Sequence, residues 1–164
     1  MPPQNKKVFV VHGHDEKLRT QVASFLKKLG LEPIILHEQP DQSQTIIEKL
    51  EKNSDVSFAI VLLTPDDEGR KKNAKLHWSD PVFPDEPTVT PRARARQNVI
   101  FEFGYFLGKL GRPKLCVLYC DGVEFPSDFS GGLYKIVDAT ESWQDELLKE
   151  LKAAGFAMNV NRVA

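Results

Sequence analysis

The chain has 164 residues, 41% hydrophobic and 27% charged, which suits one globular domain that buries a core without disulfide or metal staples. With 22 basic against 23 acidic residues the net charge is −1, so no overall field draws it to nucleic acid or to an anionic membrane surface. Cys116 and Cys120 follow neither a disulfide framework nor a zinc spacing, no stretch reaches the length of a membrane span, and MPPQNKK lacks the apolar core of a signal peptide; the reading is a cytoplasmic protein.

Residues 1–6 are expected to be a disordered N-terminus. The domain proper begins with an apolar run, Val8 to Val11, closed by Gly13: a buried strand feeding a loop. From Asp15 the period turns helical, with Leu18, Val22, Phe25, Leu26 and Leu29 on one face, Asp15 as cap and Gly30 as terminator. "EPIILHE" reads as a second strand and "DQSQTIIEKLEKNS" as a helix bearing Ile46, Ile47 and Leu50. "VSFAIVLLTPDD" is the strongest strand, almost continuously apolar, as a strand covered on both faces must be. The segment from Asp66 to Ala95 has no clear period and reads as a long loop. A helix follows over roughly Gln97 to Gly111, then a strand in "PKLCVLYC", a short fifth strand in "YKIVDA", and an amphipathic helix in "SWQDELLKELKAAG" ending at Gly155. Residues 156–164 read as a tail, or as a linker to a sensor domain absent from this chain.

Strand and helix alternate throughout, which predicts an α/β domain with a parallel sheet and helices on both faces. Five strands favour the flavodoxin-like order 2-1-3-4-5 over a six-stranded Rossmann sheet. Ligands bind such sheets where the winding reverses, beyond the carboxyl ends of the first and third strands. The loops that meet there are "HGHD", with His12, Gly13 and His14, and "TPDD", with Asp66 and Asp67.

One acid stands inside one of the most apolar stretches of the chain, "RARQNVIFEFGYFLGKLG". At 100° per residue, Val99, Ile100, Phe103, Phe106, Leu107 and Leu110 form one stripe. Glu102 lies just beyond its edge, on the side of Asn98 and Lys109, near the helix end that faces the switch-point loops. Two readings stay open: a boundary glutamate paired with Lys109 or an arginine of "RARAR", or a catalytic carboxylate. His12 and His14 have no third ligand at sensible spacing, so no metal site is expected. The "HGHD" loop is either a substrate contact or a plain turn, and Asp15 is better read as a helix cap. Asp66 and Asp67 are candidates for ribose or loop contact, and Trp78 for stacking on a base or simple packing. Arg92, Arg94 and Arg96 would meet a pyrophosphate or form a solvated, protein-binding face.

"VFVVHGHD", "LHEQPDQSQTIIEKLE", "AIVLLTPDDEGR", "RARQNVIFEFGYFLGKLG" and "FPSD" occur in this order. Together they resemble the TIR-like nucleotide-binding domains of bacterial anti-phage systems, the effectors of CBASS and Pycsar defence, some of them fused to a bacterial STING domain. The resemblance spans residues 7–155. It implies a TIR fold, NAD+ as substrate with no cofactor, and glycohydrolase activity at the nicotinamide–ribose bond. It assigns the catalytic role to Glu102, since enzymatic TIR domains carry a glutamate on the helix after the third strand. With it go self-association through TIR surfaces and a cyclic-nucleotide sensor domain in the full-length protein. Phe103 stands where leucine is expected and Ser43 where glycine is expected, and the insert at residues 74–91, which bears on the pocket mouth, is longer than the minimum. The alternatives are a TIR module that only assembles, which needs no acid at position 102, and a nucleoside deoxyribosyltransferase-like enzyme with a glutamate nucleophile. A phosphoacceptor receiver domain fits poorly, because "YKIVDA" puts no lysine past the fifth strand.

Overall fold

The computed structural model describes residues 5–40, 42–72, 91–126 and 133–158. Trp78 and most of the 74–91 insert lie outside them. Five strands make one parallel sheet: β1 (Lys7–Val11), β2 (Glu32–Ile34), β3 (Phe58–Leu63), β6 (Leu115–Cys120) and β7 (Tyr134–Val137). Their spatial order is β2-β1-β3-β6-β7, which is the expected 2-1-3-4-5 when the sheet strands are counted along the chain. The remaining strands, β4 (Asp67–Gly69) and β5 (Arg92–Arg94), form a separate antiparallel pair. Both lie in the segment expected to be one long loop.

Alternate residues of each central strand enter opposite layers, which explains why β3 is apolar at every position. Phe58, Ile60 and Leu62 face α1 (Glu16–Lys28) and α4 (Trp143–Ala153), in a core with Leu26, Trp143 and Leu147. Ala59, Val61 and Leu63 face the other way, in a core with Leu50 of α2 (Ile46–Asn53) and Val99, Phe103 and Phe106 of α3 (Gln97–Leu110). Phe106 packs its ring 4.5 Å from that of Phe9 on β1. Truncating such a ring costs about 3–5 kcal/mol, so α3, which carries Glu102, is held firmly against the sheet.

The helix ends follow local chemistry. Asp15 caps α1 by accepting from the Leu18 N–H at 2.9 Å, and Gly30 follows the helix in the left-handed region at φ 78. The helix expected from residue 41 starts later, at Ile46, because Thr45 and Glu48 close a capping box there. Before it Gln42 and Ser43 hold φ of 47 and 58, so the position where glycine was expected is one whose backbone favours glycine. The expected second strand is shorter too: after Ile34 the chain turns through a 3-10 segment, Leu36–Glu38, and this turn presents His37 to the site.

A candidate active site between the first loop and the third helix

A cleft of about 350 Å3 opens at the carboxyl ends of β1 and β2, between α2 and the start of α3. His12 enters from the loop after β1 and His37 from the turn after β2. Ile46 and Lys49 come from α2, and Arg96, Asn98, Val99 and Glu102 from α3. Of the residues named from sequence, the fold brings His12, Arg96, Asn98 and Glu102 to this one space. The volume lies at the small end of ligand pockets, with a few polar groups converging on an apolar floor.

Glu102 is partly buried on the cleft wall. Among the described residues no hydrogen bond or ion pair reaches it, so neither expected structural partner is engaged. Lys109 donates instead to the Ser54 hydroxyl at 2.5 Å, and Arg94 pairs with Glu124 at 2.7 Å. Arg96 acts on Glu102 only through space. Burial therefore dominates and raises the carboxyl to about 7, with the Arg96 charge opposing. Such a group is poised between acid and carboxylate near neutral pH, a common property of catalytic carboxyls. A cation arriving beside it would draw it into the charged form.

The loop after β1 is built around a different acid. Asp66 accepts from the His14 backbone N–H at 3.0 Å and from the Thr64 hydroxyl at 2.6 Å. A Cβ on residue 13 would fall 1.8 Å from the Asp66 Oδ2, so Gly13 admits this carboxylate. Asp66 thus ties the ends of β1 and β3 together, and neither Gly13, His14 nor Asp66 lines the cleft. Asp67 begins β4 and lines a neighbouring hollow with Glu68, Arg94 and Gln97. The three arginines of "RARAR" divide: Arg92 is exposed, Arg94 is paired with Glu124, and Arg96 faces the cleft.

Sequence reasoning passed over Lys49 and His37. Lys49 is only 4% exposed, which is unusual for lysine, and it joins Arg96 as a second cation in the cleft. Its signal was available: it sits three residues after Ile46 and beside Leu50, on the inner face of an amphipathic helix. His37 had none, since its place depends on where β2 stops. The arrangement puts cationic Arg96 and the carboxyl of Glu102 on one cleft wall, so it can meet an anion and a positively charged centre of one ligand.

The chain is 50% identical over 154 residues to the uncharacterized protein YuaY of Escherichia coli K12, covering 93% of this chain and 47% of that protein. It is 39% identical over 154 residues to the protein tirC of Dictyostelium discoideum, covering 89% of this chain and 68% of that one. A shorter match, 37% over 92 residues, joins 54% of this chain to 25% of the Pycsar effector protein PaPycTIR of Pseudomonas aeruginosa. The chain thus spans about half the length of YuaY. The profile of one family, the TIR domain of CAP12/Pycsar effector proteins, matches residues 7–139, and with its flavodoxin-like sheet the chain belongs to that family of TIR domains.

Proposed function

We propose that this domain hydrolyses NAD+ at the bond between nicotinamide and ribose, and that it serves as an effector in bacterial anti-phage defence. The observation that supports this most is Glu102: a carboxyl without a partner among the described residues, raised to about 7 by burial, on the wall of an open cleft. In the reaction the C1′–N bond breaks, its electron pair leaves with the ring nitrogen, and the pyridinium departs as neutral nicotinamide. The ribose is left with oxocarbenium character, as in glycoside cleavage. Ionised Glu102 stabilises that developing charge through a preorganised field, usually the largest catalytic contribution. The leaving group is neutral once released, so no second carboxyl is needed as an acid. Water adds to C1′ and loses a proton, giving ADP-ribose.

Arg96 on the cleft wall fits the diphosphate that follows the ribose. It meets that charge without forming an ion pair with Glu102, which keeps its own charge for the transition state. Phe101 on α3 and Ile46 and Ile47 on α2 are large apolar residues left 55%, 66% and 56% exposed, which supports self-association as part of activity. In a longer protein a cyclic-nucleotide sensor would supply the signal for assembly. Chromatography of NAD+ incubated with concentrated protein tests the reading. Release of nicotinamide that disappears in Glu102→Gln supports it, and intact NAD+ at every protein concentration argues for a module that only assembles.

A further inference from the structure

Three side chains form an unbroken row along the cleft wall, with His37 at its exposed rim. Arg19 of α1 donates from a guanidinium nitrogen to His37 Nε2 at 3.1 Å. His37 Nδ1 lies 3.0 Å from His12 Nε2, and His12 Nδ1 lies 2.8 Å from the Gly13 carbonyl oxygen. The imidazoles meet edge to face, with centroids 4.9 Å apart. The two ends of the row fix its direction. Guanidinium only donates and a carbonyl only accepts, so His12 must carry its proton on Nδ1 to reach Gly13. Its Nε2 is then an acceptor, which places the His37 proton on Nδ1 and leaves His37 Nε2 to accept from Arg19. Both ends make the same demand, and both rings satisfy it only when neutral.

We infer that Arg19 is a positioning residue of the cleft: through His37 and His12 it holds a wall of two neutral imidazoles whose four ring nitrogens are all engaged, so the wall meets a ligand as uncharged aromatic surface. Neither histidine has a lone pair left for proton transfer, which leaves Glu102 as the titratable group free to act. Resting on the NAD+ reading, the wall has a selective use. An uncharged ring accepts the cationic pyridinium, which an imidazolium would repel.

The surroundings favour the neutral state. Burial lowers the His12 pKa and the Arg19 charge adds to it, against the Gly13 hydrogen bond and Glu38. Across the cleft stand Lys49 and Arg96 as cations and Glu102 as the acid, while Glu16 lies 3.8 Å from Arg19 on α1. A proton added at either ring must turn an N–H toward another donor. Acid therefore opens the row, and its break falls at Arg19.

Long-range proton–nitrogen NMR of the imidazoles reads this directly on the full chain, with His12→Gln and His37→Gln used for assignment. Both residues are expected in the Nδ1–H tautomer at neutral pH. In Arg19→Met, which keeps the stem but removes the donor, the His12 titration is expected to move to higher pH, and Arg19→Lys should bring it back. NAD+ turnover in Arg19→Met should lose in KM more than in kcat, increasingly as the pH falls. Finding either ring in the Nε2–H form, or a His12 titration unmoved by Arg19→Met, overturns the inference whatever the turnover. Finding the tautomers as stated in a protein that leaves NAD+ intact keeps the row and removes the substrate reading.

Discussion

Replacing Glu102 by glutamine should make the protein more stable and less active at once. The carboxyl is raised from 4.5 to about 7, and at about 1.4 kcal/mol per tenfold change this corresponds to roughly 3 kcal/mol of unfavourable ionisation in the folded state. Partial exposure of the side chain to cleft water reduces the figure to about 1–3 kcal/mol. The sign follows from proton uptake. Between 4.5 and 7 the native state binds the proton more tightly than the unfolded chain. The stability this lends is complete below 4.5 and is lost as pH rises through 7. Glutamine carries no charge at any pH, so its advantage over the parent should be absent near pH 4 and full above pH 7.

For a domain of this size 1 kcal/mol corresponds to about 2–4 °C in melting temperature. Glu102→Gln should therefore melt a few degrees above the parent at pH 8 and together with it at pH 4.5. In the same samples NAD+ cleavage should fall about 10²–10³-fold in kcat, since glutamine keeps the shape but loses the field at the oxocarbenium. Calorimetry at the two pH values and nicotinamide release at pH 8 give both readouts. A variant that melts below the parent at pH 8 would show that Glu102 holds the fold together through a partner, and the reasoning from burial would fail.

Parent turnover should rise with pH along a limb centred near 7, because only the ionised carboxyl stabilises the cation; a flat rate between pH 5 and 9 would remove the carboxylate from the mechanism. Gly13→Ala should cost about 1–3 kcal/mol in urea unfolding, because its Cβ overlaps the Asp66 carboxylate, and an unchanged midpoint would mean that Asp66 has somewhere else to go. Ser43→Gly should add about 0.5–1 kcal/mol by relieving a left-handed serine at φ 58, net of the extra chain entropy of glycine; a loss in the same titration would show that the serine side chain is needed. Turnover per molecule should climb with protein concentration if assembly activates the enzyme, and light scattering on the same dilution series should rise with it.

The sheet was legible because its signals are local. Five apolar runs alternating with amphipathic helices leave little choice of class, and the two-layer alternation of β3 follows from its unbroken apolar run. The start of α2 falls five residues later than the expected Asp41, although "TIIE" carries a capping box signature at Thr45; the polar residues before it blur the boundary. The β4–β5 ribbon was not legible. Its six residues carry no apolar alternation, and they are held by pairing across a long segment and by the Arg94–Glu124 ion pair. Sequence order identified the loop after β1 and the start of α3 as neighbours. It gave no means of telling that Asp66 would reach across to brace the loop after β1, because that depends on the distance between two strand ends.

The position of Glu102 is set by residues that never meet a ligand. Phe103 and Phe106 are wholly buried beneath the helix, and Lys109 pins its far end to Ser54. These contacts fix the rotation of α3 about its axis, and with it the direction of every residue on the boundary. A helix that rolled by one residue would swing a side chain through about 100°, either burying Glu102 or releasing it to solvent. In the first case it would be neutral at pH 7 and in the second fully charged but screened. Only the intermediate setting gives a carboxyl near 7 that faces a cleft. An apolar stretch around an acid is thus what the proposed chemistry needs: the phenylalanines hold the helix against the unfavourable charge, and the charge remains available to the cleft.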